Sequence, residues 1–155
     1  MEQKTKVHAE DGKQEILITR DFDLPIELLF RACTEPNLIE EWMGTQVVKM
    51  ENRKSGSYQL QKTDEKGNML FQAEGVIHTF LPNQKITRTF EMANTPFGVQ
   101  LEIYVFESLG ADTSRINMHV LYESVAQRDQ VVQVGMTQGI NWAHNRIQEV
   151  ANKLK

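Results

Sequence analysis

The stretch Gln127–Lys155, QRDQVVQVGMTQGINWAHNRIQEVANKLK, follows a long run of strand-like alternation and decides the fold. Within it Met136, Ile140, Ala143, Ile147, Val150 and Leu154 recur at spacings of 4, 3, 4, 3 and 4. Those spacings place the six side chains on one face of one long amphipathic helix. Such a helix would run about 40 Å, against about 26 Å for an eight-residue strand. Laid across a curled antiparallel sheet, a helix of that length encloses space between the two layers.

Ser124-Val125-Ala126-Gln127 fits an S-x-x-Q capping box, with Gln127 reaching back to the Ser124 amide, and predicts a helix start near Val125. Upstream, Arg115 to Glu123 puts Ile116, Met118, Val120 and Tyr122 on one strand face. Val99 to Phe106 does the same with Val99, Leu101, Ile103 and Val105. Further strands are expected over Lys85 to Met92, Met69 to Leu81, Ser57 to Thr63 and Gln46 to Glu51, and a first over Glu15 to Asp21. Gly75 predicts a bulge or sharp bend in the longest of them. Seven strands joined mostly by hairpin-length turns describe an antiparallel meander. Between the first two, Pro25 suits a helix N1 position ahead of Ile26, Leu29, Phe30 and Cys33. Pro36 opens a second short helix with Leu38, Ile39 and Trp42, which Gly44 can cap. The whole is an α+β chain, expected to form a single domain over residues 1–155 with residues 1–13 as a flexible tail.

At 155 residues the chain is long enough to bury roughly 70% of its unfolded surface. A net charge of −4 and the absence of long basic runs offer no footprint for nucleic acid. The apolar runs are only a few residues long, which predicts no membrane span, and the polar start Met1 to Lys13 lacks the apolar core of a signal peptide. These features lead to the expectation of a cytoplasmic protein. The single cysteine, Cys33, excludes an internal disulfide and a cysteine-rich zinc site; its apolar segment reads as a buried structural thiol.

The order of elements, together with particular residues, resembles the Activator of Hsp90 ATPase homologue-like family of the START-like (helix-grip) superfamily. The matching stretches are Arg20 to Pro25 leading into Leu29-Phe30-Arg31-Ala32, and Thr34-Glu35-Pro36 to Trp42. Next come Arg53 with Ser55-Gly56-Ser57-Tyr58, then Gly75-Val76-Ile77 with Leu81-Pro82-Asn83. Gly135-Met136-Thr137-Gln138-Gly139-Ile140 with Arg146-Ile147 completes the set. The resemblance implies a helix-grip fold: a curved sheet of about seven strands, a V of two short helices, and the long C-terminal helix in its palm. It does not imply one activity, because such folds host many. Two departures stand out: relatives often carry two glycines where Ser55-Gly56 stands, and an acidic residue near Thr79. Loss of that acid would make this pocket less polar if the acid served a ligand. The co-chaperones that named the family have an additional N-terminal domain, whereas 14 residues precede the first strand here. Chaperone ATPase activation is therefore the minor reading.

Few side chains look poised for catalysis. His8, His78, His119 and His144 are scattered without metal-ligand spacing, and no phosphate loop, G-x-S-x-G or H-E-x-x-H motif occurs. His144 borders the apolar stripe, where a structural role is the ordinary one. Glu40-Glu41 are adjacent in a helix and diverge by about 100°, which fits a solvated pair better than an acid/base dyad. No catalytic residue, cofactor or metal is assigned.

The stronger pattern is apolar. Tyr58, Leu60, Ile77, Phe90, Leu101, Ile103, Met118 and Val120 on the strands face Met136, Ile140 and Ala143 on the helix. Ordinary core packing accounts for most of them; the functional version leaves part of that space as a pocket. Trp42, where the helix pair should meet the sheet, reads as a core plug or a ligand-stacking ring. Arg88, between Ile86 and Phe90 on the same face, requires a carboxylate partner, an exposed sheet end or a ligand anion. Gly135 and Gly139 share a helix face and permit close approach or an open cavity mouth. These fourteen lining candidates, with Gly139 among them, point to a domain that binds a small, largely apolar ligand. The alternatives are a chaperone-linked or stress-related interaction module, and a START-like hydrolase or cyclase. A monomer and a homodimer paired through a strand edge are both open.

Overall fold

A computed structural model describes residues 4–155. Eight strands form one antiparallel sheet: β1 (Lys6–His8), β2 (Glu15–Phe22), β3 (Gln46–Met50), β4 (Ser57–Thr63), β5 (Met69–Leu81), β6 (Lys85–Met92), β7 (Val99–Gly110) and β8 (Thr113–Tyr122). Their order across the sheet is β1-β2-β8-β7-β6-β5-β4-β3. From β3 to β8 each strand pairs with its sequence neighbour, as hairpin-length turns require, and β2 closes back onto β8. Helices α1 (Ile26–Thr34) and α2 (Pro36–Met43) form the V between β2 and β3, and α3 (Val125–Gln133) and α4 (Met136–Asn152) end the chain.

Several local expectations are corrected. The C-terminal helix is two helices, because Gly135 takes φ +89° between α3 and α4, a left-handed conformation that no helix interior tolerates. Leu154 falls beyond α4 and is exposed, so the apolar stripe ends at Val150 and Ala151. An eighth strand, β1, lies inside the segment expected as a flexible tail and pairs with β2 through Lys6↔Thr19, Val7↔Ile18 and His8↔Leu17. The same segment is tied down further along, where the buried Arg128 donates through Nη1 to the Glu10 carbonyl at 2.9 Å. Residues 1–3 of that tail lie outside the described residues.

The bulge in β5 falls at His78 rather than Gly75, since the β5–β6 register shifts between Ile77 and Thr79. Gly75 serves a different need. A Cβ there would sit 1.9 Å from the Thr89 carbonyl oxygen and 2.7 Å from the Tyr58 hydroxyl, which donates to that carbonyl at 2.5 Å. The capping box is half formed: the Ser124 hydroxyl accepts from the Gln127 amide at 3.1 Å, while the Gln127 side chain turns to Glu123. Ser55, where relatives often have glycine, takes φ +66°.

The apolar interior divides into two clusters. The larger gathers Ile16, Ile18, Phe22, Leu29, Phe30, Phe106, Ile116, Met118, Val120 and Ile147 from β2, β7, β8, α1 and α4. The smaller gathers Tyr58, Leu60 and Ile77 under β4 and β5.

Candidate functional site

Helix α4 is unequally buried along its inner face. Ile147, Val150 and Ala151 are buried, whereas Met136, Ile140 and Ala143 are only half-buried although they point toward the same sheet. The space they leave is a cavity of 230 Å³ between the two apolar clusters. Ile18, Leu60, Phe90, Met118 and Val120 of the sheet, Met136, Ile140 and Ala143 of α4, and Met43 and Met50 line it. A lobe of 70 Å³ extends it toward His144 and Ile147 and shares Cys33, Trp42, Arg88 and Tyr104 with it. At the opposite end, Phe90, Gln100 and Met136 also border an opening between Phe97-Gly98 and the α3–α4 junction at Val134-Gly135.

Of the fourteen lining candidates, Trp42, Leu60, Arg88, Phe90, Met118, Val120, Met136, Ile140 and Ala143 surround this space. Tyr58 and Ile77 stand beside it in the smaller apolar cluster. Leu101, Ile103 and Gly139 do not reach it. Leu101 pairs with Leu121 and Ile103 with His119, on the opposite face of the sheet from Glu102, Tyr104 and their partners Val120 and Met118. The interior face of β7 is the polar one, Gln100-x-Glu102-x-Tyr104-x-Phe106, because Phe106 and Tyr104 must meet Ile116 and Met118 across β8. Gly139 is exposed, with open space where a side chain would stand.

That polar face answers the question Arg88 poses. Arg88 lies opposite Glu102 across β6 and β7, and its Nε donates to Glu102 Oε1 at 2.9 Å. Its Nη2 donates to the Tyr104 hydroxyl at 3.2 Å, and that hydroxyl donates to Glu102 Oε1 at 3.1 Å. Gln100 Nε2 donates to Glu102 Oε2 at 2.7 Å. The rings of Tyr58 and Tyr104 lie 4.7 and 5.1 Å from the guanidinium carbon, a favourable setting for a desolvated cation. The partner is therefore a structural carboxylate, and the pocket holds an acid at Glu102 although Thr79, half-buried, is outside the lining. Burial pushes the Tyr58, Tyr104 and Tyr122 hydroxyls above the usual phenol range, so all three stay protonated. Burial likewise pushes the Cys33 thiol up to about 12, which leaves it uncharged and a poor nucleophile.

Trp42 Nε1 donates to the Ala32 carbonyl at 2.8 Å, locking α2 to α1, and its ring borders both lobes. His144 is buried, with Nδ1 2.7 Å from Thr5 Oγ1 and its ring edge-on to Phe22. Burial, and then the positive charge of Arg20, push its pKa down to about 3. Glu40 and Glu41 go separate ways, to the Val47 amide and to Lys153. Among the described residues, no three His, Cys, Asp or Glu side chains gather to hold a metal ion, and no helix is long and apolar enough to cross a membrane.

Several solved structures share this architecture at low sequence identity. A protein from Arthrobacter aurescens matches with TM-score 0.84 at 17% identity, over 96% of this chain and 91% of its own. One from Rhodobacter sphaeroides matches with TM-score 0.83 at 18% identity, over 97% and 99%. One from Mycobacterium smegmatis matches with TM-score 0.81 at 20% identity, over 94% of each. At those identities the likeness establishes the START-like helix-grip fold. No curated protein sequence matches the chain. A family model does, over residues 23–152, and by that match the chain belongs to the family described as Activator of Hsp90 ATPase homolog 1-like protein.

Proposed function

We propose that this chain binds one small, largely apolar molecule in the cavity between the sheet and α4. The observation that carries this reading is the 230 Å³ space left beside the half-buried Met136, Ile140 and Ala143. Close packing is the rule in protein interiors, and a void of this size forfeits contacts on every wall. An apolar cavity of about 150 Å³ suffices for benzene, so this one suits a molecule of about one to two rings. The lining is mainly aliphatic, methionine and aromatic, with its polar groups concentrated on β6, β7 and the end of β8. Affinity would come from burial, and orientation from that wall.

A protein-observed NMR titration with 2-ethylnaphthalene tests the reading. Saturable shifts concentrated on Met43, Met118, Met136, Ile140 and Ala143 are expected. Shifts scattered over the surface, or none, would overturn it. The family description also suggests contact with a chaperone, and a chaperone partner would shift surface residues and leave these methyl groups unchanged.

A further inference from the structure

We infer that the cavity selects a ligand whose polar group is an uncharged hydrogen-bond acceptor, such as a ketone or ester oxygen, and discriminates against carboxylates. The inference rests on the ligand-binding reading above and adds the chemistry of what is bound. The charges of the wall are already closed on each other. Glu102 accepts from Arg88 Nε, the Tyr104 hydroxyl and Gln100 Nε2, and the guanidinium spends Nε on Glu102 and Nη2 on the Tyr104 hydroxyl. Two donors are left over. Among the described residues, Arg88 Nη1 and the Tyr122 hydroxyl have no hydrogen-bond partner, neither is a sealed orphan, and both residues line the cavity.

Leftover donors call for an acceptor, and a ligand that supplies none leaves them unmet. A carboxylate would supply one at a cost. It would bring a second negative charge beside Glu102, while Arg88 is the only cationic lining residue of the main cavity among those described. His144, in the smaller lobe, is neutral at pH 7 because its pKa is pushed down to about 3. A desolvated charge without its own counter-ion is strongly disfavoured. A carbonyl oxygen meets the donors and adds no charge.

Three probes of nearly equal shape separate these cases: 2-acetylnaphthalene, 2-ethylnaphthalene and 2-naphthoate, titrated into the full chain at pH 7 and followed by protein NMR. The ketone is expected to bind roughly tenfold tighter than the naphthoate and several-fold tighter than the hydrocarbon. Tyr122→Phe should remove most of the ketone's advantage over the hydrocarbon, read as the ratio of the two affinities in the same variant. Infrared spectra of carbonyl-13C acetylnaphthalene give a second readout without a variant: binding should move the stretch to the lower frequency of a hydrogen-bonded carbonyl. Naphthoate binding as tightly as the ketone, or an unshifted carbonyl stretch, would overturn this inference and leave the pocket standing. Failure of all three probes to bind would overturn the pocket reading and the inference with it.

Discussion

Arg88 and Glu102 face each other across β6 and β7 with Nε 2.9 Å from Oε1, and this ion pair forms part of the cavity wall rather than of the protein surface. The Glu102 side chain is 5% exposed and that of Arg88 19%. Removing one member strands the other's charge in a partly dry site. Arg88→Met should therefore destabilise the fold by about 3 kcal/mol, and the double variant Arg88→Met/Glu102→Leu should recover most of that loss. Urea unfolding of the single and double variants measures both.

The Tyr58 hydroxyl and the Thr89 carbonyl meet only because residue 75 has no side chain. A Cβ at that position would collide with backbone, which cannot swing aside. Gly75→Ala should cost more than about 3 kcal/mol, in the range of severe core substitutions. Tyr58→Phe, which removes the hydrogen bond and keeps the ring beside Arg88, should cost about 1–2 kcal/mol. Thermal melts of the two variants rank them.

His144 makes stability sensitive to acid. Burial holds its folded pKa down at about 3, below the ordinary histidine value of about 6.5, so between those values the unfolded chain binds a proton that the folded chain does not. Stability should fall as pH drops through that window, by up to about 1.4 kcal/mol per pH unit from this group, and the loss should level off below pH 3. His144→Gln should show a shallower decline between pH 6 and pH 4 than the wild type in parallel urea titrations. Equal slopes would count against the buried neutral imidazole.

The two glycines of the C-terminal segment should respond with opposite signs. Gly135 holds φ +89° at the α3–α4 junction, so Gly135→Ala should destabilise by about 1–2 kcal/mol. Gly139 lies within α4, exposed and with open space around it, so Gly139→Ala should stabilise by up to about 1 kcal/mol. Differential scanning calorimetry of each variant checks the sign.

Much of this architecture is legible in the sequence because it follows from local chemistry. Pro36 and Gly44 bracket α2, Ser124 caps α3, and the spacing of Met136, Ile140, Ala143 and Ile147 marks the face that α4 turns to the sheet. The face of β7 is not legible in the same way. Its two faces alternate equally well, Val99-Leu101-Ile103-Val105 against Gln100-Glu102-Tyr104-Phe106, and hydrophobicity assigns the wrong one to the interior. What reverses the choice is non-local: Tyr104 and Phe106 meet Met118 and Ile116 on β8, and Glu102 stands opposite Arg88 on β6. The signal was the pair of opposite charges on strands joined by one hairpin. Gly135 and Gly139 look alike by spacing, yet only Gly135 takes a positive φ and separates α3 from α4. Strand β1, three residues long, is too short to show a period.

A ligand held between the sheet and α4 must occupy the space beside Ala143. Isothermal titration of 2-ethylnaphthalene into wild type and Ala143→Phe compares an open cavity with one filled by a ring. Saturable 1:1 binding to the wild type and at least about tenfold weaker binding to Ala143→Phe at unchanged fold are expected. Equal affinity for both proteins, or none for the wild type, would contradict the interior site.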